Sequence, residues 1–199
     1  MPGRYLHLAR HGEAVDDGPL SPAGREQARL LGRRMVELPI TAVHHSPLPR
    51  ATQTAHLAAE ALPGVPVRPC DLLTDHVPPV PDRSALPEVY ARFLDGLPAE
   101  DAARGASLSA AAIDRYAVPA VDDTDVHELI VTHNFVIGWF VRHALEAPVG
   151  RWLGLNQANA ALTTICYRRD RPPTLVRFNE LGHLPAALRW TGFPPDRHV

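Results

Sequence analysis

Glu128-Leu129-Ile130-Val131-Thr132-His133-Asn134 is the stretch on which the fold turns. Its first five residues form a run rich in β-branched and apolar side chains, which predicts a strand buried on both faces in the middle of a sheet. The run ends on a polar pair, His133-Asn134, and an apolar helix follows through Phe140 to Leu145. The same succession of strand, loop and helix recurs upstream. Residues 5–9 predict a buried strand that empties at Arg10-His11-Gly12, and Ser21 with Pro22 supplies a helix start for a segment over 22–38. Ala42-Val43-His44-His45-Ser46 predicts another strand, followed after Pro47-Leu48-Pro49 by a helix built on Ala51, Thr54, Ala55, Ala58, Ala59 and Leu62. Three such units predict an α/β domain, a three-layer sandwich with a mostly parallel central sheet, in which ligands bind at the carboxyl ends of the strands.

The rest of the chain is less sharply punctuated. The proline-rich segment 63–82 is expected to be extended, with a short strand near Val65–Val67, and helices are expected near 86–95 and 107–118. Residues 161–168 and 174–178 predict a β-hairpin or antiparallel edge strands, at which a homodimer could form. The 199 residues suit a single domain. Twenty basic residues, all of them Arg, stand against 22 acidic ones, for a net charge of −2. Without basic runs, neither nucleic acid nor a membrane surface is an expected partner. Cys70 and Cys166 predict free thiols. The N-terminus has no apolar secretory region, and a cytoplasmic protein is expected.

The chemistry-bearing residues gather at the predicted strand ends. Arg10-His11, Ser46 through Arg50, and His133 each follow one of the three strands, so they can share a pocket. Arginine forks match phosphate oxygens, and a neutral imidazole, with a reference pKa of roughly 6.5, is a nucleophile that needs no metal. His44 and His45 are adjacent in a strand and point to opposite faces, so they do not form a metal pair. There is no HExxH or CxxC pattern, and neither a metal nor a cofactor is expected.

These residues lie within four ordered motifs: Leu8-Ala9-Arg10-His11-Gly12-Glu13, the segment from Leu20 to Ala28, the segment from Ser46 to Ala55, and Ile130 to Asn134. Together they resemble the histidine phosphatase, or phosphoglycerate-mutase-like, superfamily. The C-terminal part, from Leu155-Asn156 to Thr191-Gly192-Phe193-Pro194-Pro195-Asp196, resembles the branch containing a mitochondrial protein serine/threonine phosphatase. The resemblance implies a phosphoglycerate-mutase-like fold over 1–199, with 83–125 as a variable helical insertion over the site. It implies His11 as the nucleophile that becomes phosphohistidine, and Arg10, Arg50 and His133 as holders of the phosphoryl oxygens. His133 is expected to be protonated while phosphate is bound, and Asn134, at the start of the next helix, is expected to add to the anion site. The family's proton donor is a glutamate, and Asp75 stands nearest its position, with Glu13, Asp71 and His76 as fallbacks.

After Glu13 the chain continues Ala14-Val15-Asp16-Asp17, an acidic pair expected to repel a strongly anionic substrate, and the link from Gly12 to Pro22 is short. Both features favour a phosphatase acting on a small phosphometabolite or a phosphoprotein. The alternatives are a phosphoglycerate-type mutase and a non-catalytic phosphate-binding or scaffold protein.

Overall fold

The continuous apolar run at its centre gives the sheet its middle strand. In the computed structural model, which describes residues 1–199 except 17, 194, 196, 197 and 199, that run belongs to β4 (Val126–Thr132). The other strands are β1 (Arg4–Arg10), β2 (Ile40–His45), β3 (Val67–Pro69), β5 (Leu162–Arg168) and β6 (Arg171–Glu180), in the order β3-β2-β4-β1-β5-β6. The first four in that order are mutually parallel, and β5 and β6 close the sheet as an antiparallel hairpin.

Helices cover both faces. On one side Leu6, Leu8 and Ile130 pack with Ala112 and Tyr116 of α4 (Ala99–Tyr116) and Ile137 and Phe140 of α5 (Asn134–Ala144). On the other, Ala9, Val43, Leu129 and Val131 pack with Leu31 and Met35 of α1 (Pro22–Met35) and Ala51, Ala55 and Ala58 of α2 (Pro49–Ala59). Each fully buried Leu, Ile or Phe contributes about 1.5–3 kcal/mol. His44 meets the Tyr116 ring and His45 the His56 ring, so the adjacent histidines do point to opposite helical layers. α3 (Glu88–Phe93) is a short helix of six residues.

Register sets the site. Arg10 lies beside Thr132, and His45 lies beside Val131. The ladder continues past both strand ends, with His11 N–H donating to Thr132 O (3.0 Å) and Ser46 N–H to Val131 O (3.0 Å).

Several boundaries differ from expectation for local reasons. α1 stops at Met35 because Pro39 biases Leu38 away from helix, and Leu38 N–H turns back to Met35 O. β3 starts at Val67 because Pro66 has no N–H to give a ladder. α4 begins at Ala99, behind Pro98 and with Glu100 and Asp101 in its first turn, well before the expected 107. Gly105 lies inside it because the helix presses on another backbone: a Cβ there would stand 1.9 Å from Val77 O.

Candidate active site

His11 is held from all sides immediately after β1. Its carbonyl accepts from Asn159 Nδ2 (3.0 Å), and the next N–H, of Gly12, donates to Thr54 Oγ1 (3.0 Å), which itself donates to Arg50 O (2.7 Å). Gly12 must be glycine because a Cβ would lie 2.5 Å from Gly24 O, where the loop crosses the start of α1. The ring nitrogens are distinguished by their partners. Nδ1 is 2.8 Å from Gly12 O, a pure acceptor, so Nδ1 carries the hydrogen; Nε2 receives Arg50 Nε–H at 3.1 Å, so Nε2 carries the lone pair. Burial, only partly opposed by the Gly12 hydrogen bond, together with the Arg10 and Arg50 charges lowers the His11 pKa to about 3. The imidazole is neutral at any ordinary pH.

Arg50, in the first turn of α2, also donates through Nη2 to Asp75 Oδ2 (2.9 Å). Burial pushes the Asp75 carboxyl above its ordinary value, and the Arg50 charge and hydrogen bond offset only part of that. The loop carrying Asp75 is anchored next door, where His76 bonds Thr74 O (2.8 Å) and Ser109 Oγ of α4 (3.0 Å). His133 is 1% exposed. Its Nε2 is 2.8 Å from Ser46 Oγ, and its Nδ1, 3.6 Å from Asp75 Oδ2, has no hydrogen-bond partner among the described residues. Burial, then His11, Arg50 and Arg10, lower its pKa to about 2, so protonation of His133 requires a substrate whose negative charge outweighs those effects.

Arg10, His11, Arg50, Asp75 and His133 line one cavity of about 420 Å³. Glu13 and Asp71 do not line it, and His76 lines only a neighbouring cavity that shares Asp75. Asn134 lines the cavity, but its side chain is committed elsewhere: Nδ2 donates to Asn156 Oδ1 (2.9 Å) and Oδ1 accepts from Gln157 N (2.7 Å). Asp16 is exposed and not part of the lining, so the repulsion expected of it is not exerted inside the pocket; Asp17 lies outside the described residues, as do Pro194 and Asp196 of the C-terminal motif.

Sequence reasoning missed the supports. Gln27, fully buried, accepts from Glu13 N through Oε1 (2.8 Å) and donates through Nε2 to Leu188 O (2.8 Å) and Thr191 Oγ1 (2.8 Å). It ties the His11 loop to a C-terminal strap. Arg10 Nη1 donates to Gln157 O (2.8 Å) and to Gly192 O of the same strap (3.2 Å). The only signal for these contacts was that Gln27, Asn156 and Thr191-Gly192 fall in the quoted motifs. The far wall, from Val89, Tyr90 and Phe93 of α3 with Phe135, Leu153 and Phe193, was foreshadowed only by the helical insertion expected over the site and by Phe193 in the C-terminal motif.

A parallel sheet that collects two arginines and two histidines at its strand ends defines a phosphate-handling α/β class of protein. The chain belongs to the histidine phosphatase superfamily (branch 1), whose profile matches residues 6–181. It is 33% identical over 193 residues to the mitochondrial serine/threonine-protein phosphatase Pgam5 of Caenorhabditis briggsae, covering 91% of this chain and 64% of that protein. It is 31% identical over 193 residues to mitochondrial serine/threonine-protein phosphatase PGAM5 of Homo sapiens, covering 92% of this chain. The chain thus spans about 64% of the length of these curated relatives. Among solved structures, a phosphoglycerate mutase from Plasmodium falciparum matches with TM-score 0.66 at 19% identity, covering 94% of this chain and 96% of that one. The alpha-ribazole phosphatase from Shigella flexneri matches with TM-score 0.68 at 19% identity, covering 88% and 96%. These establish the phosphoglycerate-mutase-like fold.

The relatives correct the cytoplasmic expectation, since they are named as mitochondrial proteins. The lack of an apolar secretory run at the N-terminus bears only on secretion and not on that location. Among the described residues no helix is long and apolar enough to cross a membrane.

Proposed function

We propose that this protein is a metal-independent phosphomonoesterase that works through a phosphohistidine on His11, with phosphoproteins or phosphorylated small molecules as substrates. The observation that carries the reading is the His11 ring: Nδ1–H is spent on Gly12 O, and the Nε2 lone pair is aligned by Arg50 beside the cavity. In this mechanism Nε2 attacks phosphorus in line and the ester oxygen departs. Arg10, Arg50 and the unpartnered Nδ1 of His133 meet the charge spread over the equatorial oxygens. N–H groups at the start of α5 add to the same anion site.

Asp75 gives its proton to the departing oxygen and then takes one from the water that attacks the phosphohistidine, releasing inorganic phosphate and regenerating neutral His11. Its raised pKa favours the protonated form needed for the first step. Residues 1–199 act as one catalytic unit, with 83–125 supplying the Asp75 anchor and one wall. The names of the relatives support phosphoprotein substrates. Turnover of p-nitrophenyl phosphate in excess EDTA tests the reading: undiminished release of nitrophenol is expected, and loss of turnover on chelation or no turnover at all would refute it.

A further inference from the structure

The far side of the 420 Å³ cavity is built unlike its phosphate end. Beyond the residues that converge on His11, the lining is Val89, Tyr90, Phe93, Phe135, Leu153 and Phe193, together with an asparagine pair whose side chains bond each other. Among the described residues this side carries no cation. Its rings are set edge to face, Phe93 against Phe135 with centroids 5.4 Å apart and Phe135 against Trp152 at 5.2 Å, and Trp152 Nε1 is fixed to Pro79 O (3.1 Å). Val89 and Phe93 lie one turn apart on α3 and face this cavity, yet they remain 67% and 52% exposed. The described residues leave them uncovered.

Resting on the phosphatase reading, we infer that the substrate's leaving group is uncharged and presents an aromatic or similarly flat apolar face to this wall. A ring placed there continues the edge-to-face series and covers Val89 and Phe93. A leaving group bearing a carboxylate or a second phosphate would lose water against aromatic carbon without gaining a counter-ion. Arg104 does not supply one here, because it lines the separate cavity of about 180 Å³, which it shares with Asp101.

The test separates binding from turnover. Calorimetry with the non-hydrolysable benzylphosphonate and 3-phosphonopropionate is expected to give about tenfold or more tighter binding of the benzyl compound. Benzyl phosphate is expected to exceed 3-phosphoglycerate in kcat/KM by a similar factor. Phe93→Arg, at an exposed position that leaves the core intact, should narrow or reverse both preferences. Equal or tighter binding of 3-phosphonopropionate overturns the inference, as does a Phe93→Arg protein with unchanged preferences. Should neither ester turn over, the phosphatase reading fails while the two phosphonates still decide what the wall selects.

Discussion

The two ends of the cavity are made in different ways. The phosphate end comes from residues at or shortly past the ends of β1, β2 and β4, and their spacing is set by sheet register: Arg10 beside Thr132, Ser46 N–H on Val131 O, His11 N–H on Thr132 O. The opposite wall comes from α3, the start of α5, the 149–154 turn and the C-terminal strap, most of it brought there by packing rather than by the sheet ladder. A sheet delivers polar groups to one place with little freedom, so the phosphate end is rigid and charged. On its α3 side, away from the strap that binds Arg10 and Gln27, the wall can differ with little disturbance of the phosphate end, which is how one pocket can keep its reaction while its leaving group changes.

The largest effect that can be placed on this contrast is His11→Ala. It should abolish turnover of every ester alike, by on the order of 10⁴-fold or more, because the nucleophile lies upstream of any leaving-group preference. Steady-state assays on one aryl and one alkyl phosphate check this, and a loss confined to one of them would dissolve the division between the two ends. Asp75→Asn acts at the boundary. An alkoxide needs a proton to leave and a phenolate needs little help, so the expected loss is about 10²-fold or more for alkyl esters and under about tenfold for aryl esters. With protonated Asp75 as the proposed working form, wild-type kcat for alkyl esters should fall as the pH rises through its elevated pKa, a fall the variant should lack.

Much of this architecture was legible in the sequence, and the pattern of what was not is physical. Ile130 and its neighbours read as a central strand because both faces are buried, and the strand-end residues followed from it. Helix α4 was misplaced because its start is marked by Pro98 and acidic residues without a Ser, Thr, Asp or Asn cap. The expectation for Asn134 rested on its place at the start of a helix; that its side chain is held by Asn156 and Gln157, partners distant in sequence, could not be read there. The aromatic wall was legible only as an insertion over the site at 83–125, since Tyr90, Phe93 and Phe193 are scattered residues with no shared period.

Gln27 joins the two ends, and Gln27→Ala is the next perturbation in size. It leaves Glu13 N–H and Leu188 C=O short of partners, at about 1–3 kcal/mol for each group left buried. Denaturant unfolding should show the loss of stability, and a KM that rises for benzyl phosphate would register a loosened strap. Rescue by Gln27→Glu is not expected, because a carboxylate cannot donate to Leu188 O.

A further effect is on stability against pH. His11 and His133 are held neutral, at about 3 and about 2, and His7, in the middle of β1 and hydrogen-bonded to Thr164 and His127, is held at about 3 by burial and its neighbours' charges. Each takes a proton more readily in the unfolded chain. Between the ordinary value of 6.5 and those folded values the unfolded state therefore binds more protons, and stability is full above the window and falls as the pH drops through it. Tm should decline from pH 8 to pH 5, and a Tm that rose instead would contradict the neutral-histidine assignment. The aromatic wall, with no group that titrates in that window, should contribute nothing to the slope.

The central claim is that His11 Nε2 carries the phosphoryl group between substrate and water. Rapid quenching of enzyme mixed with a ³²P-labelled ester, followed by peptide mapping, tests it most directly. A label is expected on the peptide containing His11, labile to acid, stable to alkali and absent from the His11→Ala protein. A label on Ser46 or one that survives acid, or turnover that persists in the His11→Ala protein, would contradict it.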